Sequence, residues 1–329
     1  MLVDNHGRSI NYVRLAVTDR CNLRCFYCMP EEGIHFLPKD GLLTHEEIER
    51  LISILATLGI SKVRLTGGEP FVRKDLIQII QTLAEIPGIE NVHITTNGVL
   101  AAPYIPELKR LGISSINLSL DTLDKARFKA ITRRDEFDDV IKTYSSLLEH
   151  EIPVKINAVV MDSKNIDDIV PLIELTKRNP ISVRFIEEMP FNGEGNHYPT
   201  LQWTYTKILN YITAHYPNLY KIQDPENSTS YQYAIPGHRG NIGIIAAFSR
   251  TFCGTCNRIR ITAQGDLKTC LYDDGVLNIK NLMRQGYTDG NIKIELLKAF
   301  RKRPLDGFEA ERKRNDHLPV HESMSTIGG

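Results

Sequence analysis

The sequence lacks a net charge, a long apolar run and a phosphate-binding loop motif. Basic and acidic residues number 40 each, so no global field favours nucleic acid or an anionic membrane as a partner. No segment approaches the roughly 18 consecutive apolar residues of a membrane-spanning helix, and the start is polar where a secretory signal is apolar. No Gly-x-x-x-x-Gly-Lys-Ser/Thr segment occurs, which excludes the P-loop mode of nucleotide binding. We therefore expect a cytoplasmic protein that binds neither nucleic acid nor membrane.

Cysteine is also scarce, and its positions are clustered. The six cysteines form two trios, Cys21/Cys25/Cys28 and Cys253/Cys256/Cys270, with none left over. Disulfides are rare in the cytosol, where clustered cysteines more often bind metal or act in catalysis. Three thiolates this close favour joint binding of a metal. The metal is either a cubane iron–sulfur cluster with one open iron or a zinc ion with a further, distant ligand. Spacing alone leaves both metals open, and two trios predict two such sites.

Six predicted strands alternate with helices in the first half of the chain. The strands cover residues 11–18, 62–66, 91–96, 115–120, 154–160 and 182–187. This alternation predicts parallel βαβ units, either in an open sheet or curled into a barrel. Between the first two strands, Thr44 and Glu47 predict a capping box at the start of an amphipathic helix.

A Pro/Gly/Asn-rich stretch at residues 187–195 predicts a change of layout. After it come an aromatic-rich helix at 203–215, short strands at 231–235 and 242–247, and a helix at 292–300. We predict a barrel-type unit over 1–200, a region with a second cluster over 201–300, and a flexible tail over 301–329 that ends in Gly-Gly.

Each of the six strands carries apolar residues on one face and polar residues on the other. If the apolar faces pack on the helices, the polar faces share one lumen, which would hold Arg14, Lys62, Arg64, Lys155 and Arg184 against Asp121. Unpaired buried charges cost several kcal/mol each, so an anionic ligand is expected to neutralise this excess. The alternative is a sheet with one solvated face, but crossover helices normally cover both faces of a parallel sheet.

The first trio resembles the cluster motif of the radical S-adenosylmethionine (radical SAM) enzymes. Cys21, Cys25 and Cys28 have its x3 and x2 spacings, with the aromatic Tyr27 before the third cysteine. The resemblance implies a [4Fe–4S] cluster whose open iron is chelated by SAM. Gly67-Gly68-Glu69-Pro70 resembles the motif that binds the methionine amino group. The implied SAM contacts are Tyr27, Gly68, Ser119 and Met189.

The second trio narrows the resemblance. Phe252-Cys253-Gly-Thr-Cys256-Asn-Arg258-Ile-Arg260 with Cys270 is similar to the GTP 3′,8-cyclase family of molybdenum cofactor biosynthesis. Further matches are Thr18-Asp-Arg-Cys21, Arg64-Leu-Thr-Gly-Gly-Glu-Pro70, Thr95-Thr-Asn-Gly98, Ser119-Leu-Asp121, Arg184-Phe-Ile-Glu187 and the Gly-Gly terminus.

This resemblance implies the fold, the second cofactor site and the substrate contacts. The implied fold is α/β, an incomplete (β/α)6 TIM-type barrel with a C-terminal extension that carries a second [4Fe–4S] cluster, whose open iron binds guanine. The implied GTP contacts are Arg14, Lys62, Arg64, Thr95, Lys155, Arg184, Arg258 and Arg260. Arg258 and Arg260 are expected to be catalytic as well, and the Gly-Gly tail is expected to reach the active site.

The family's reaction implies further partners. An electron from a donor such as a flavodoxin or ferredoxin cleaves SAM to methionine and a 5′-deoxyadenosyl radical. The radical removes hydrogen from ribose C3′ of GTP, and the new carbon radical attacks guanine C8. The product would pass to cyclic pyranopterin monophosphate synthase, and a homodimer is also expected. Three alternatives stay open: another two-cluster radical SAM enzyme acting, for example, on peptides; a zinc-stabilised binding module; and a simple electron carrier.

Overall fold

One 12-stranded sheet organises the protein. The computed structural model describes residues 2–191, 201–314 and 322–328. The strands are β1 Tyr12–Ala16, β2 Lys62–Thr66, β3 Asn91–Thr96, β4 Ser115–Ser119, β5 Val154–Val160, β6 Ser182–Glu187, β7 Tyr220–Lys221, β8 Ser230–Ala234, β9 Asn241–Ile245, β10 Arg258–Ile261, β11 Asp266–Lys268 and β12 Leu277–Asn278. The helices are α1 His45–Thr57, α2 Leu76–Glu85, α3 Ile105–Arg110, α4 Lys125–Thr132, α5 Phe137–Glu149, α6 Ile169–Arg178, α7 Tyr205–His215, α8 Ile279–Arg284, α9 Asp289–Phe300, α10 Gly307–Arg312 and α11 Met324–Ile327.

The strand order confirms the incomplete barrel. It is β12-β11-β10-β1-β2-β3-β4-β5-β6-β9-β8-β7, so the six predicted strands lie side by side in chain order. All neighbours from β10 through β6 to β9 are parallel, and the two edges are finished by antiparallel pairs. The two outermost strands belong to opposite edges, so the sheet is curled but not closed. Two strands from the second half of the chain, β9 and β10, thus extend the same parallel sheet.

The alternating pattern has the predicted consequence for packing. In β5, Val154, Ile156, Ala158 and Val160 are buried in the apolar core, while the intervening residues are only partly buried. The helices cover the apolar face; α1 buries Ile48, Leu51, Ile52, Ile54 and Leu55. Its start is the predicted capping box, since the Thr44 hydroxyl accepts from the Glu47 N–H at 3.2 Å and the Glu47 carboxylate accepts from the Thr44 N–H at 2.9 Å.

The segment predicted as a flexible tail is partly packed against the rest of the protein in the part that the structure describes. It contains α10 and α11, and the side chains of Arg303, Ala310, Ser325 and Ile327 are buried. The segment is poor in apolar residues. Its few apolar contacts are supplemented by the polar contacts of the buried Arg303 side chain. Residues 192–200, 315–321 and Gly329 lie outside the described residues, and the domain boundaries at 200 and 300 stay a prediction. Within the described ranges, no helix is long and apolar enough to cross a bilayer.

Candidate active site

Two adjoining cavities contain the two cysteine trios. The first cavity has a volume of about 180 Å³ and is lined by Cys21, Cys25 and Cys28. The second cavity has a volume of about 320 Å³ and is lined by the second trio, Cys253, Cys256 and Cys270. Four residues line both: Asn157, Ile186, Met189 and Met324. Groups bound in the two cavities would therefore lie close together.

The second cavity gathers seven of the predicted substrate residues. They are Arg14, Lys62, Arg64, Lys155, Arg184, Arg258 and Arg260. The predicted lumen is thus a cavity on the polar face of the sheet. The strand register explains the clustering, because Arg14 of β1 lies level with Arg260 of β10 on one side and with Arg64 of β2 on the other. Like charges side by side on neighbouring strands repel, so this row of guanidinium groups favours a polyanionic ligand.

Tyr12 lies among these cations. Arg64 Nε donates to the Tyr12 hydroxyl at 2.7 Å, and the Lys62 ammonium lies 4.7 Å from the centre of the Tyr12 ring. Burial alone would raise the pKa of the phenol, but the positive charges of Arg64, Arg14 and Lys62 outweigh it and lower that pKa to about 7. The cation field of this cavity therefore stabilises negative charge even on a weak acid.

The same positive field lowers the pKa of two further cations in this cavity. Burial, followed by the charges of Arg184 and Arg64, lowers the pKa of Lys155 to about 8. Burial and the Arg64 charge lower the pKa of Arg184 to about 10. The buried Nε of Arg184 has no hydrogen-bond partner among the described residues. An anion in the cavity would supply that partner and offset the repulsion.

The first cavity lies at the carboxyl ends of the early strands. The loop that carries Cys21, Cys25 and Cys28, called the cysteine loop, follows β1, and Gly67-Gly68 follows β2. A side chain at either glycine would collide with the cysteine loop, because a Cβ at Gly67 would lie 2.2 Å from Thr18 O and one at Gly68 2.2 Å from Arg20 O. Gly67 also has a φ of +140°. The paired glycines therefore let the two loops pack backbone to backbone, in addition to exposing Gly68 to the cavity.

Glu69 fixes the next loop. Its buried carboxylate accepts hydrogen bonds from the Thr96 hydroxyl and the Asn97 N–H, both at 2.7 Å, and from the Phe71 N–H at 3.1 Å. Burial raises its pKa to about 7 in spite of these donors. The Asn97 amide in turn donates to Cys21 Sγ at 3.8 Å. Sequence reasoning gave Glu69 no role of its own; the structure makes it a support of the cysteine loop.

The predicted SAM contacts lie together in the first cavity. Tyr27, Gly68, Ser119 and Met189 all line it. The Tyr27 hydroxyl donates to Asp121 at 2.8 Å, and burial raises the pKa of Asp121 to about 6 although Val159 N–H and Tyr27 both donate to it. Thr95, predicted to contact GTP, lines the first cavity and not the second, and its buried hydroxyl has no partner among the described residues.

The donor set of each trio fits an iron–sulfur cubane. Burial raises the pKa of Cys21 to about 11 and of Cys28 to about 12, so these thiolates need a bound cation at neutral pH. Among the described residues, no three or more ligand side chains surround a single metal position. A cubane does not need such a grouping, because each cysteine ligates a different iron.

The second trio has a different electrostatic environment. Burial would raise the pKa of Cys256, but the Arg258 and Arg303 guanidinium groups outweigh it and lower that pKa to about 6. Arg303 Nη2 lies 3.1 Å from Cys256 Sγ. In Cys270, burial dominates and raises the pKa to about 12. No sequence pattern pointed to Arg303, which lies in the segment predicted to be flexible.

The C-terminal segment 322–328 lies between the two cysteine loops. Ser323 Oγ donates to Cys28 O at 2.7 Å, and Arg260 Nη1 donates to Gly328 O at 2.5 Å. Glu322 pairs with Lys268, which is buried in the wall of the second cavity. The resemblance implied that the tail reaches the active site; the described part of it contacts residues of both cavities.

Glu187 ends β6 as a structural anchor. Its carboxylate accepts from the N–H groups of Tyr205, Phe248 and Ser249 at 2.7, 2.9 and 2.7 Å, and from the Ser249 hydroxyl at 2.8 Å. No basic side chain pairs with it among the described residues. Glu187 thus ties the barrel strands to the chain that leads into the second trio.

The two halves of the chain match two family models. Residues 15–176 match the model described as Radical SAM superfamily, and residues 181–308 match the one described as Molybdenum Cofactor Synthesis C. The boundary between the matches falls just before β6. The first match contains the first cysteine trio, and the second match contains the second trio.

Relatives are found in bacteria, plants and animals. The chain is 41% identical over 340 residues to the GTP 3′,8-cyclase of Syntrophomonas wolfei, with 100% of both chains covered. It is 40% identical over 304 residues to the mitochondrial GTP 3′,8-cyclase of Arabidopsis thaliana, covering 92% of this chain and 77% of that one. It is 41% identical to molybdenum cofactor biosynthesis protein 1 of Bos taurus over 96% of this chain, which spans only 48% of that longer protein.

Solved structures agree on the fold. The chain superposes on Streptococcus suis SuiB bound to S-adenosylmethionine with a TM-score of 0.62 at 17% identity, covering 90% of this chain and 67% of that one. At this identity the likeness concerns the fold alone. The sequence identities to the bacterial and plant enzymes go further: the chain belongs to the GTP 3′,8-cyclase family of the radical SAM superfamily.

Proposed function

We propose that this protein cyclises GTP to (8S)-3′,8-cyclo-7,8-dihydroguanosine 5′-triphosphate, the first step of molybdenum cofactor biosynthesis. The observation that carries the proposal is one cavity that unites seven cationic side chains with the second cysteine trio, beside a cavity that holds the first trio. The names of relatives that match over their whole length support it.

The first cavity would hold the SAM-dependent centre of the superfamily. Cys21, Cys25 and Cys28 would ligate a [4Fe–4S] cluster, and Tyr27, Gly68, Ser119 and Met189 would contact SAM. When bound, the cluster and SAM together supply a carbon radical by reductive cleavage of SAM. The protein's own part is to fix the cysteine loop through Glu69 and the paired glycines, and to keep the cavity small.

The second cavity would bind GTP. Its guanidinium groups suit the triphosphate, because a planar fork binds two phosphate oxygens at once. The second trio would hold a second [4Fe–4S] cluster that receives the guanine, and Arg258 and Arg260 lie next to it on β10. The residues shared by both cavities would hold the ribose near SAM, which lowers the entropic part of the barrier.

Anaerobic reconstitution tests this function. The protein is loaded with iron and sulfide, and iron is counted per chain. 5′-Deoxyadenosine is then measured with SAM and a reductant, with GTP, with ATP and without nucleotide. We expect iron for two clusters and formation of the cyclised nucleotide with GTP only. A protein that is colourless, zinc-loaded and functional would instead be a binding module, and SAM cleavage with no cyclised nucleotide would favour another radical SAM substrate, such as a peptide.

A cation variant separates GTP binding from cluster assembly. Arg258→Ala is expected to weaken GTP binding about tenfold to a hundredfold without loss of iron, because one charge-assisted hydrogen bond to the nucleotide is lost. Arg178→Ala, at the exposed end of α6, is the matched control and should leave both unchanged. Unchanged GTP affinity in Arg258→Ala would reject the assigned role of this residue.

The remaining partners are part of the same proposal. A flavodoxin or ferredoxin would supply the electron, and the product would pass to cyclic pyranopterin monophosphate synthase. The protein would work in the cytoplasm as a homodimer. Equilibrium ultracentrifugation of the reconstituted protein tests the assembly, and replacement of the chemical reductant by reduced flavodoxin tests the donor.

A further inference from the structure

The N-terminal hairpin contacts the second cysteine trio. Residues 2–10 form this hairpin, closed by a bridge between Val3 and Ser9, before β1 begins. Its Asp4 carboxylate is fully buried, with a side-chain exposure of 0%. Asp4 Oδ2 accepts from Arg8 Nε at 2.7 Å and from Arg303 Nη1 at 3.3 Å. The ion cluster Asp4/Arg8/Arg303 thus joins the first and last parts of the chain.

Arg303 uses all of its hydrogen-bonding capacity at this point. Nε donates to Thr269 O at 2.9 Å, Nη1 to Cys256 O at 2.9 Å and to Asp4, and Nη2 to Arg258 O at 2.7 Å and to Cys256 Sγ at 3.1 Å. A guanidinium group has five N–H donors, and each of the five has an acceptor here. A lysine could not reproduce this geometry, because it has a single nitrogen.

All three cysteines of the second trio are held by buried charged side chains. Arg8 Nη1 donates to Cys253 O at 3.0 Å, and Arg303 binds both the carbonyl and the sulfur of Cys256. The Asp273 carboxylate accepts from the Cys270 N–H at 2.8 Å. A loop whose ligands are each held in this way keeps its geometry when a cluster binds.

The ion cluster also has a charge of its own. It contains two guanidinium groups and one carboxylate, so it carries a net positive charge in a buried place. A cubane held by three thiolates is an anion, since the thiolates carry more negative charge than the iron–sulfur core carries positive. The hydrogen bond from Arg303 places this positive charge against one of the three sulfurs. Hydrogen bonds to cluster sulfurs favour the reduced state, which has one more negative charge.

We propose that Asp4, Arg8 and Arg303 are positioning residues of the second cluster, and that Arg303 raises its reduction potential through the hydrogen bond to Cys256 Sγ. The proposal rests on the second trio's holding a cluster, which is part of the proposed function. It assigns a role to the hairpin 2–10, which precedes the residues matched by the radical SAM family model.

The test isolates the second cluster in the full-length chain. Cys21, Cys25 and Cys28 are replaced by serine in every protein, iron is counted, and the cluster is titrated anaerobically while its electron paramagnetic resonance signal is recorded. Failure of this parent protein to hold iron would count against the proposed function. The inference is tested by Arg303→Gln, with Arg301→Gln as the matched control, because Arg301 is exposed and lies two positions earlier.

Arg303 and Asp4 give opposite expectations. Arg303→Gln removes the positive charge and replaces the long guanidinium fork by a shorter neutral amide, so the reduced-to-oxidised ratio at a fixed potential should fall about tenfold, which is ~59 mV for one electron. Asp4→Asn removes the negative charge beside Arg303, so the potential should shift upward. Arg301→Gln should leave it unchanged.

A purely mechanical role for the ion cluster makes different predictions. It would lower iron content or thermal stability in both variants without moving the potential of the clusters that form. Unchanged potentials in Arg303→Gln and Asp4→Asn would therefore overturn the proposal. If Arg303→Gln holds no iron, Asp4→Asn decides: an upward shift supports the proposal, and an unchanged or lowered potential refutes it.

Discussion

Replacement of Arg184 by methionine should weaken GTP binding and stabilise the protein without its substrate. Arg184 lies at the second cavity, where burial and the Arg64 charge lower its pKa to about 10. Its charged form is therefore disfavoured by about 3–4 kcal/mol relative to water. Methionine fills much of the same volume without the charge. Without GTP, we expect the free energy of unfolding to rise by about 1–3 kcal/mol.

The same substitution has the opposite sign for the complex. A charge-assisted hydrogen bond to phosphate contributes about 1.5–3 kcal/mol, so the affinity for GTP should fall about tenfold to a hundredfold. Urea unfolding and equilibrium dialysis of the same preparation measure the two quantities. Arg178→Met is the matched control, because Arg178 is exposed at the end of α6 and should change the free energy of unfolding by less than about 0.5 kcal/mol. A less stable Arg184→Met protein with unchanged GTP affinity would refute this reasoning.

Three further predictions concern the loops and the pH dependence. Gly68→Ala should lose the iron of the first cluster and keep that of the second, because its Cβ would lie 2.2 Å from Arg20 O; full iron loading would contradict this. Glu187→Gln should lower the free energy of unfolding by about 2–4 kcal/mol in urea, since an amide N–H₂ would face donors; a change under 0.5 kcal/mol would argue against the anchor role. GTP affinity should fall as pH rises through about 8, where Lys155 loses its charge, and Lys155→Gln should flatten that profile between pH 7 and 9. Since the pKa of Lys155 is lower in the folded than in the unfolded protein, stability without GTP should rise over the same pH range.

The period-two pattern of the first half was sufficient to predict β1 to β6. Each strand alternates apolar and polar residues, and the polar face of a curled sheet can only face its interior. The same reasoning applies to Arg258-Ile-Arg-Ile261, where cations alternate with isoleucines as they do in β1. The sequence thus carried a signal for β10. The position of β10 beside β1 could not be predicted from the sequence, because strand pairing depends on the whole packed structure.

Other features depend on contacts between distant residues. Gly67 and Gly68 were expected to belong to the motif that binds the methionine amino group, and the structure adds that each packs against the backbone of residues 18–20. Arg303 lies in a charged, apolar-poor segment, which composition alone makes a candidate for mobility. Its five acceptors come from residues 4, 256, 258 and 269, and no local pattern announces such a convergence. A buried arginine is identified by its surroundings, not by its neighbours in sequence.

The pairing of β1 with β10 has a consequence for synthesis on the ribosome. During translation β1 emerges early, while its partner on that side emerges only after most of the chain has been made. Until then β1 is an open edge, whose unpaired N–H and C=O groups can join strands of another chain. Arg14, the arginine that β1 contributes to this pairing, then has a second use, since a charged side chain on a nascent edge discourages association between unfinished chains. We therefore expect Arg14, which would contact the nucleotide in the finished enzyme, to protect the chain while it is incomplete.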